Sequence, residues 1–347
     1  VFMNEDLQSD FSLNQALSLF AVDAVLELDR EAPDYALDAL TVVESILEDP
    51  GAVLSQQVDV AKSRALARMK ADGLEYEERM AELEKVDRPK PKAEYLYGMF
   101  NAFAARHPWV GSEGLRPKSV AREMYEEGAS FLDYVKEYGL ARSEGVLLRY
   151  LSDAYKAMVQ NVPEGAKTDE IYDLSAWLGA VVRQVDSSLI DEWEKLREGG
   201  EEPAKVQRTL TEEGAFESPD ITQDEKGFTV LVRNAVWRLV QSLARREYER
   251  TTELIEPNRG SDDVEWTYEA LEDALASYRE VHGEIRTDPA ARAPKHCSIE
   301  RYRDVWEVRQ TLLDPEEHAE FFLFIDVDLR ASAEEARPVL RLRRIGE

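Results

Sequence analysis

Phe321-Phe322-Leu323-Phe324-Ile325-Asp326-Val327-Asp328-Leu329 is the stretch that decides the fold class. Phe321, Leu323, Ile325, Val327 and Leu329 take every second position. Successive side chains of an extended chain point to opposite sides, so this period predicts a strand with one buried face. Trp306, Val308 and Leu312 keep the same parity, as do Leu340 and Leu342, and His296-Cys297 is placed on a further strand. Upstream the period changes. Phe228, Leu231, Val232, Ala235, Leu239 and Leu243 recur at helical spacing, predicting one long helix over about 225–256, and a second is expected over about 264–281. Helices followed by antiparallel strands predict an α+β domain over 225–347.

Before it, residues 200–224 are rich in Glu, Pro, Gly, Thr and Ser without a period and are expected to form an acidic linker. Residues 1–199 predict an all-helical bundle. Ser12-Leu13-Asn14-Gln15 has the form of a capping box, and Leu13, Ala16, Leu17, Phe20, Ala24, Val25 and Leu28 follow on one face. Pro33-Asp34 opens a second helix that Pro50-Gly51 ends, and a highly charged helical stretch over 53–86 breaks at Asp72-Gly73. Helices are expected over about 117–127 and 130–138. Ser143 is expected to cap a helix that buries Leu147, Leu151, Ala154 and Met158, and Thr168 to start a long one that Gly199-Gly200 stops.

Composition narrows the function. Net charge is −28, with 71 acids against 43 bases. Such a surface repels phosphate on average, so contact with nucleic acid has to be confined to a locally basic face. Hydrophobic residues make up 44%, enough for real cores. No apolar run approaches the roughly 20 residues of a membrane span, and a partnership with membrane is not expected. Cys297 is the single cysteine, which excludes an internal disulfide and fits a cytoplasmic setting. The chain opens Val1-Phe2-Met3, the beginning expected of a fragment. A phosphate loop, a dinucleotide turn and a nucleophile elbow are all absent, and His107, His282, His296 and His318 lack zinc-ligand spacing, so neither metal nor cofactor is expected in this chain.

Gly128-Ala129-Ser130-Phe131-Leu132-Asp133-Tyr134-Val135 and Glu144-Gly145-Val146-Leu147-Leu148-Arg149 resemble two helix starts in the C-terminal helical domain of superkiller/antiviral-type DEAD/DEAH-box RNA helicases. More closely, Asp10–Gln15, Leu140–Gly145 and Val182–Leu189 are similar to an uncharacterised C-terminal region that follows the core of a group of bacterial DEAD/DEAH-box helicases. The likeness is specific over about 12–197 and looser beyond. It implies a helical accessory region across the exit of two motor domains, with one helix facing the translocating strand. ATP and Mg²⁺ would then belong to a helicase core N-terminal to this chain. The implied partners are that core and single-stranded nucleic acid, RNA before DNA. A protein-interaction scaffold, for which the negative charge argues, and a small-molecule-binding or catalytic cone in the C-terminal domain are the alternatives.

The residues themselves offer a cationic stripe. Arg149 and Lys156 lie seven apart on one helix face, and Arg142 precedes its cap. Asp153 stands between them, so the stripe reads either as a phosphate contact or as a surface pair network. Arg183, three residues before Asp186, carries the same two readings, and Lys118 is a further candidate. The 225–347 segment resembles a nuclear-transport-factor-type cone, in which helices pack on a curved antiparallel sheet. Trp237, Tyr248, Trp306, Phe322 and Phe324 line a pocket there or fill it, and Asp326 would be its acid. Arg337, Arg341, Arg343 and Arg344 form the one strongly basic run.

Overall fold

The computed structural model describes residues 5–110, 114–197, 220–257 and 265–347. Most of the expected linker, and Gly199-Gly200, lie outside the described residues. The helices are α1 (Glu5–Leu26), α2 (Tyr35–Ile46), α3 (Gly51–Ala71), α4 (Tyr76–Leu83), α5 (Ala93–Arg106), α6 (Ala121–Glu126), α7 (Phe131–Glu137), α8 (Glu144–Asn161), α9 (Asp169–Asp186) and α10 (Ser188–Arg197). They are followed by α11 (Glu225–Ala244), α12 (Tyr248–Leu254), α13 (Tyr268–His282), α14 (Pro289–Arg292), the strands β1 (Cys297–Arg301), β2 (Val305–Leu312) and β3 (Phe321–Asp328), then α15 (Leu329–Glu335) and β4 (Leu340–Gly346). The fold is α+β, mostly helical with one small antiparallel sheet at the C-terminal end. The chain divides into two compact units, one of Val1–Met124 with Phe131–Leu178 and one of Tyr125–Ser130 with Gly179–Glu347.

In the first unit α2 is buried on nearly every side, from Tyr35 and Leu37 through Ser45. Phe20 of α1 meets Phe100 and Phe103 of α5 edge to face, at 5.2 and 5.7 Å. Leu147, Leu151, Ala154 and Met158 form the buried stripe of α8 as their spacing predicts; each fully buried leucine contributes about 1.5–3 kcal/mol. A polar group is embedded in this apolar layer. Glu44, wholly buried, accepts the backbone N–H groups of Val120 and Ala121 (both 2.8 Å) and Arg122 (3.1 Å), and the hydroxyl of Tyr150 (2.8 Å). It thereby satisfies the otherwise unpaired amides at the start of α6.

In the second unit the strands run antiparallel in the order β1-β2-β3-β4. Trp306 lies opposite Val327, Val308 opposite Ile325 and Leu312 opposite Phe321, so these side chains share the buried face. A bulge between Phe324 and Ile325 shifts the register against β4. Tyr125–Ser130 is held against α11. Asn234 Nδ2 donates to the Gly128 carbonyl at 2.9 Å, Trp237 Nε1 to the Glu126 carbonyl at 3.1 Å and Gln241 Nε2 to the same carbonyl at 2.5 Å.

Several boundaries differ from expectation for local reasons. α1 begins at Glu5, ahead of Ser12. Ser143 stands at the start of α8 without a side-chain capping bond. The long helix after Thr168 is two, because the Asp186 carboxylate accepts the Ser188 amide (3.0 Å) and hydroxyl (2.7 Å) and turns the chain. The 225–256 helix is also two, interrupted where Arg246 takes a left-handed φ of 61°. His296 precedes β1 in a 3₁₀ turn, and Leu329 starts α15 beyond the end of its strand.

Candidate nucleic-acid interface

Of the predicted cations, Arg149 and Lys156 stand on α8 of the first unit and Arg142 in the turn before it. Arg142 and Arg149 are exposed and Lys156 is half-buried. Arg149 comes only to 4.0 Å of Asp153, with the guanidinium in solvent and the carboxylate half-exposed. At that exposure the pair is worth at most a few tenths of a kcal/mol and leaves the guanidinium available. Burial pushes the Asp153 carboxyl up from its ordinary value, against the opposing pull of Lys156 and Arg149.

Two predicted members do not belong to that surface. Lys118 is fully buried: its ammonium donates to the carbonyls of Leu47 (2.6 Å) and Arg116 (3.0 Å) and pairs with Asp49 at 2.9 Å. Burial lowers its pKa while Asp49 raises it, and no polynucleotide reaches it. Arg183 lies in the second unit and is committed to Asp191 (3.2 Å) and Glu194 (2.6 Å).

The second unit presents a different cationic surface on the outer face of its sheet. Phe322 and Phe324 occupy the even positions of β3, opposite the buried Leu323 and Ile325, and their rings lie 6.1 Å apart. The Arg309 guanidinium stands 5.2 Å from the Phe322 ring centre and that of Arg344 4.2 Å from Phe324. Both arginines are exposed, and among the described residues neither is paired with a carboxylate. The small neighbours Thr311 and Gly346 flank Phe322. At the other end of the face the charges cancel. Arg343 meets Asp326 (2.9 Å) and Glu307 (3.1 Å), and Arg341 meets Asp328 at 2.9 Å. Arg337 is paired as well, with Glu256 and Glu335.

The predicted pocket residues do not converge. Trp237 is buried against Tyr125–Ser130 through its indole N–H. Tyr248 is buried, with its hydroxyl accepting from Arg279 and its ring 5.2 Å from Tyr268. Trp306 packs edge to face on Phe228 at 4.9 Å. Asp326 is on the opposite face of the sheet, as are Phe322 and Phe324. The aromatic residues of the inner side fill the core. Parity along β3 already held this answer: residues of even number cannot share a face with Leu323 and Ile325. Arg309 went unnoticed because nothing in a linear reading ties it to Phe322 before the strands are paired.

An α+β protein with a helical unit, an aromatic sheet face and unpaired surface cations is thus defined, though without a catalytic constellation among these residues. Over residues 1–345 the chain matches the family described as Domain of unknown function (DUF3516), and it belongs to that family. No curated protein and no solved structure matches it.

Proposed function

We propose that this chain is an accessory region that holds single-stranded nucleic acid, RNA before DNA, for an ATP-dependent helicase core. The observation that carries the reading is the Phe322–Phe324 pair with Arg309 and Arg344 over its rings. Every base has a π-face, so once the two guanidiniums swing off the half-exposed rings towards the phosphates, the rings stack successive bases without regard to sequence. Arg149 and Lys156 on α8, with Arg142 just before it, supply a second phosphate contact of the same non-specific kind. The helicase setting rests on the likeness of Gly128–Val135 and Glu144–Arg149 to helicase C-terminal helices. ATP and Mg²⁺ belong to the core in this reading. A cytoplasmic location goes with it, and among the described residues no helix is long and apolar enough to cross a membrane.

Fluorescence anisotropy with a labelled single-stranded RNA tests this. Phe322→Ala and Phe324→Ala should each weaken binding by roughly tenfold or more. Charge reversal at Arg309 and Arg344 should flatten the salt dependence by about 1.4 in log K per log salt, the share of two phosphates on a single strand. No binding at low salt would instead favour a protein-interaction scaffold, the reading that the net charge of −28 supports.

A further inference from the structure

Two histidines distant in sequence meet at one carboxylate in the second unit. His282 closes α13, while Asp314 and His318 stand in the loop between β2 and β3. One ligand-capable atom from each lies within 4.8 Å of the other two. His282 Nδ1 is 3.3 Å from Asp314 Oδ2, and His318 Nδ1 is 3.4 Å from Asp314 Oδ1. Donors about 2.0–2.2 Å from a tetrahedral zinc ion are roughly 3.4 Å from each other, whereas a good N–H···O bond is nearer about 2.9 Å. The His282–Asp314 spacing is therefore that of neighbouring ligands, while His318 faces the other carboxylate oxygen and has to turn to share the ion.

The surroundings point the same way. The side chains of His282 and Asp314 are 8% and 2% exposed. Buried polar groups are as a rule hydrogen-bonded. Yet the His282 Nδ1 and the hydroxyl of Tyr278, whose ring lies 5.1 Å from that of His282, have no hydrogen-bond partner among the described residues. Asp314 Oδ1 accepts the backbone N–H of Glu316 (2.8 Å) and of His318 (3.3 Å), which fixes the carboxylate and leaves Oδ2 directed at His282. Phe321 walls the inner side. His318 is half-exposed, with Glu316 3.5 Å from its Nε2, so the outer side is open.

We propose that His282, Asp314 and His318 form a binding site for a divalent transition metal, zinc by ligand type. Two imidazoles and one carboxylate hold the ion, and water or Glu316 takes the open position. Rotation of the exposed His318 closes the remaining distance. The ion ties the end of α13 to the β2–β3 loop, and the Tyr278 hydroxyl becomes a hydrogen-bond partner of the coordinated groups. This site is independent of the nucleic-acid reading.

The test uses the full chain, stripped by a chelator and held in excess Mg²⁺ to saturate its acidic surface. Co²⁺ should be taken up in equimolar amount with the visible absorption of a low-coordinate site, and Zn²⁺ should displace it. His318→Ala, at an exposed position, should keep the native circular dichroism and lose at least about tenfold in Co²⁺ affinity. Zn²⁺ should raise the thermal midpoint of the wild type by clearly more than that of His318→Ala at the same concentration. A wild type without the visible band at stoichiometric Co²⁺, or a His318→Ala chain that binds as tightly, overturns the proposal.

Discussion

Glu44 shows what one buried carboxylate does to the pH response of a helical unit. Burial holds its pKa above the ordinary 4.5, despite the hydrogen bonds from Tyr150, Ala121, Val120 and Arg122 that lower it. The folded state therefore keeps this proton to higher pH than the unfolded chain does. The linked stability is full below the ordinary value and is lost as pH rises through the folded value. Replacing Glu44 by Gln removes the titration. The difference between wild-type and Glu44→Gln unfolding free energies, measured in urea from about pH 4 to about pH 8, should fall as pH rises, by at most about 1.4 kcal/mol per unit. Two parallel curves would mean that Glu44 is equally charged in both states. From sequence Glu44 was one acid among 71, and only the fold distinguishes it.

At the scale of elements, the turn between α6 and α7 explains the glycine that opens the helicase-like stretch Gly128–Val135. Gly128 has a φ of +60°, and a Cβ there would stand 3.0 Å from both the Arg238 amide nitrogen and the Asn234 carbonyl oxygen of α11. Both atoms are backbone, so neither can move aside cheaply. Gly128→Ala should cost on the order of 1–3 kcal/mol in urea denaturation, from left-handed strain and overpacking together; a cost near zero would refute the close approach. Strand β3 was legible at once, because parity alone separates Leu323 and Ile325 from Phe322 and Phe324. The helix stripe of α8 was equally clear. What escaped was whatever depends on pairing in space. Arg309 beside Phe322 was missed in this way, as was the meeting of His282 with His318, and Lys118 looked like a surface cation until Asp49 and two carbonyls enclosed it. The breaks at Asp186 and Arg246 escaped for another reason: hydrophobic spacing continues across them, and only a side-chain turn or a single left-handed residue stops the helix.

For the whole molecule, an excess of 28 negative charges makes salt act in two directions. Self-repulsion opposes the compact state and is screened as ionic strength rises, so the thermal midpoint should climb between about 20 mM and about 200 mM salt. Over the same range the proposed affinity for a single-stranded oligonucleotide should fall, since phosphate contacts release counterions. Paired melting and anisotropy titrations check both signs. A binding curve that strengthens with salt would exclude phosphate contact as its source. The partition of the chain has a further consequence. Six residues, Tyr125–Ser130, leave the helical unit, join the other, and hand the backbone back at Phe131. The backbone passes between the two units three times, after Met124, Ser130 and Leu178, so no single cut yields two complete modules. Residues up to 178 released alone would carry a loop stripped of Asn234, Trp237 and Gln241, and the remainder would lack the carbonyls those side chains grip. A truncation meant to isolate either unit therefore removes contacts from the other.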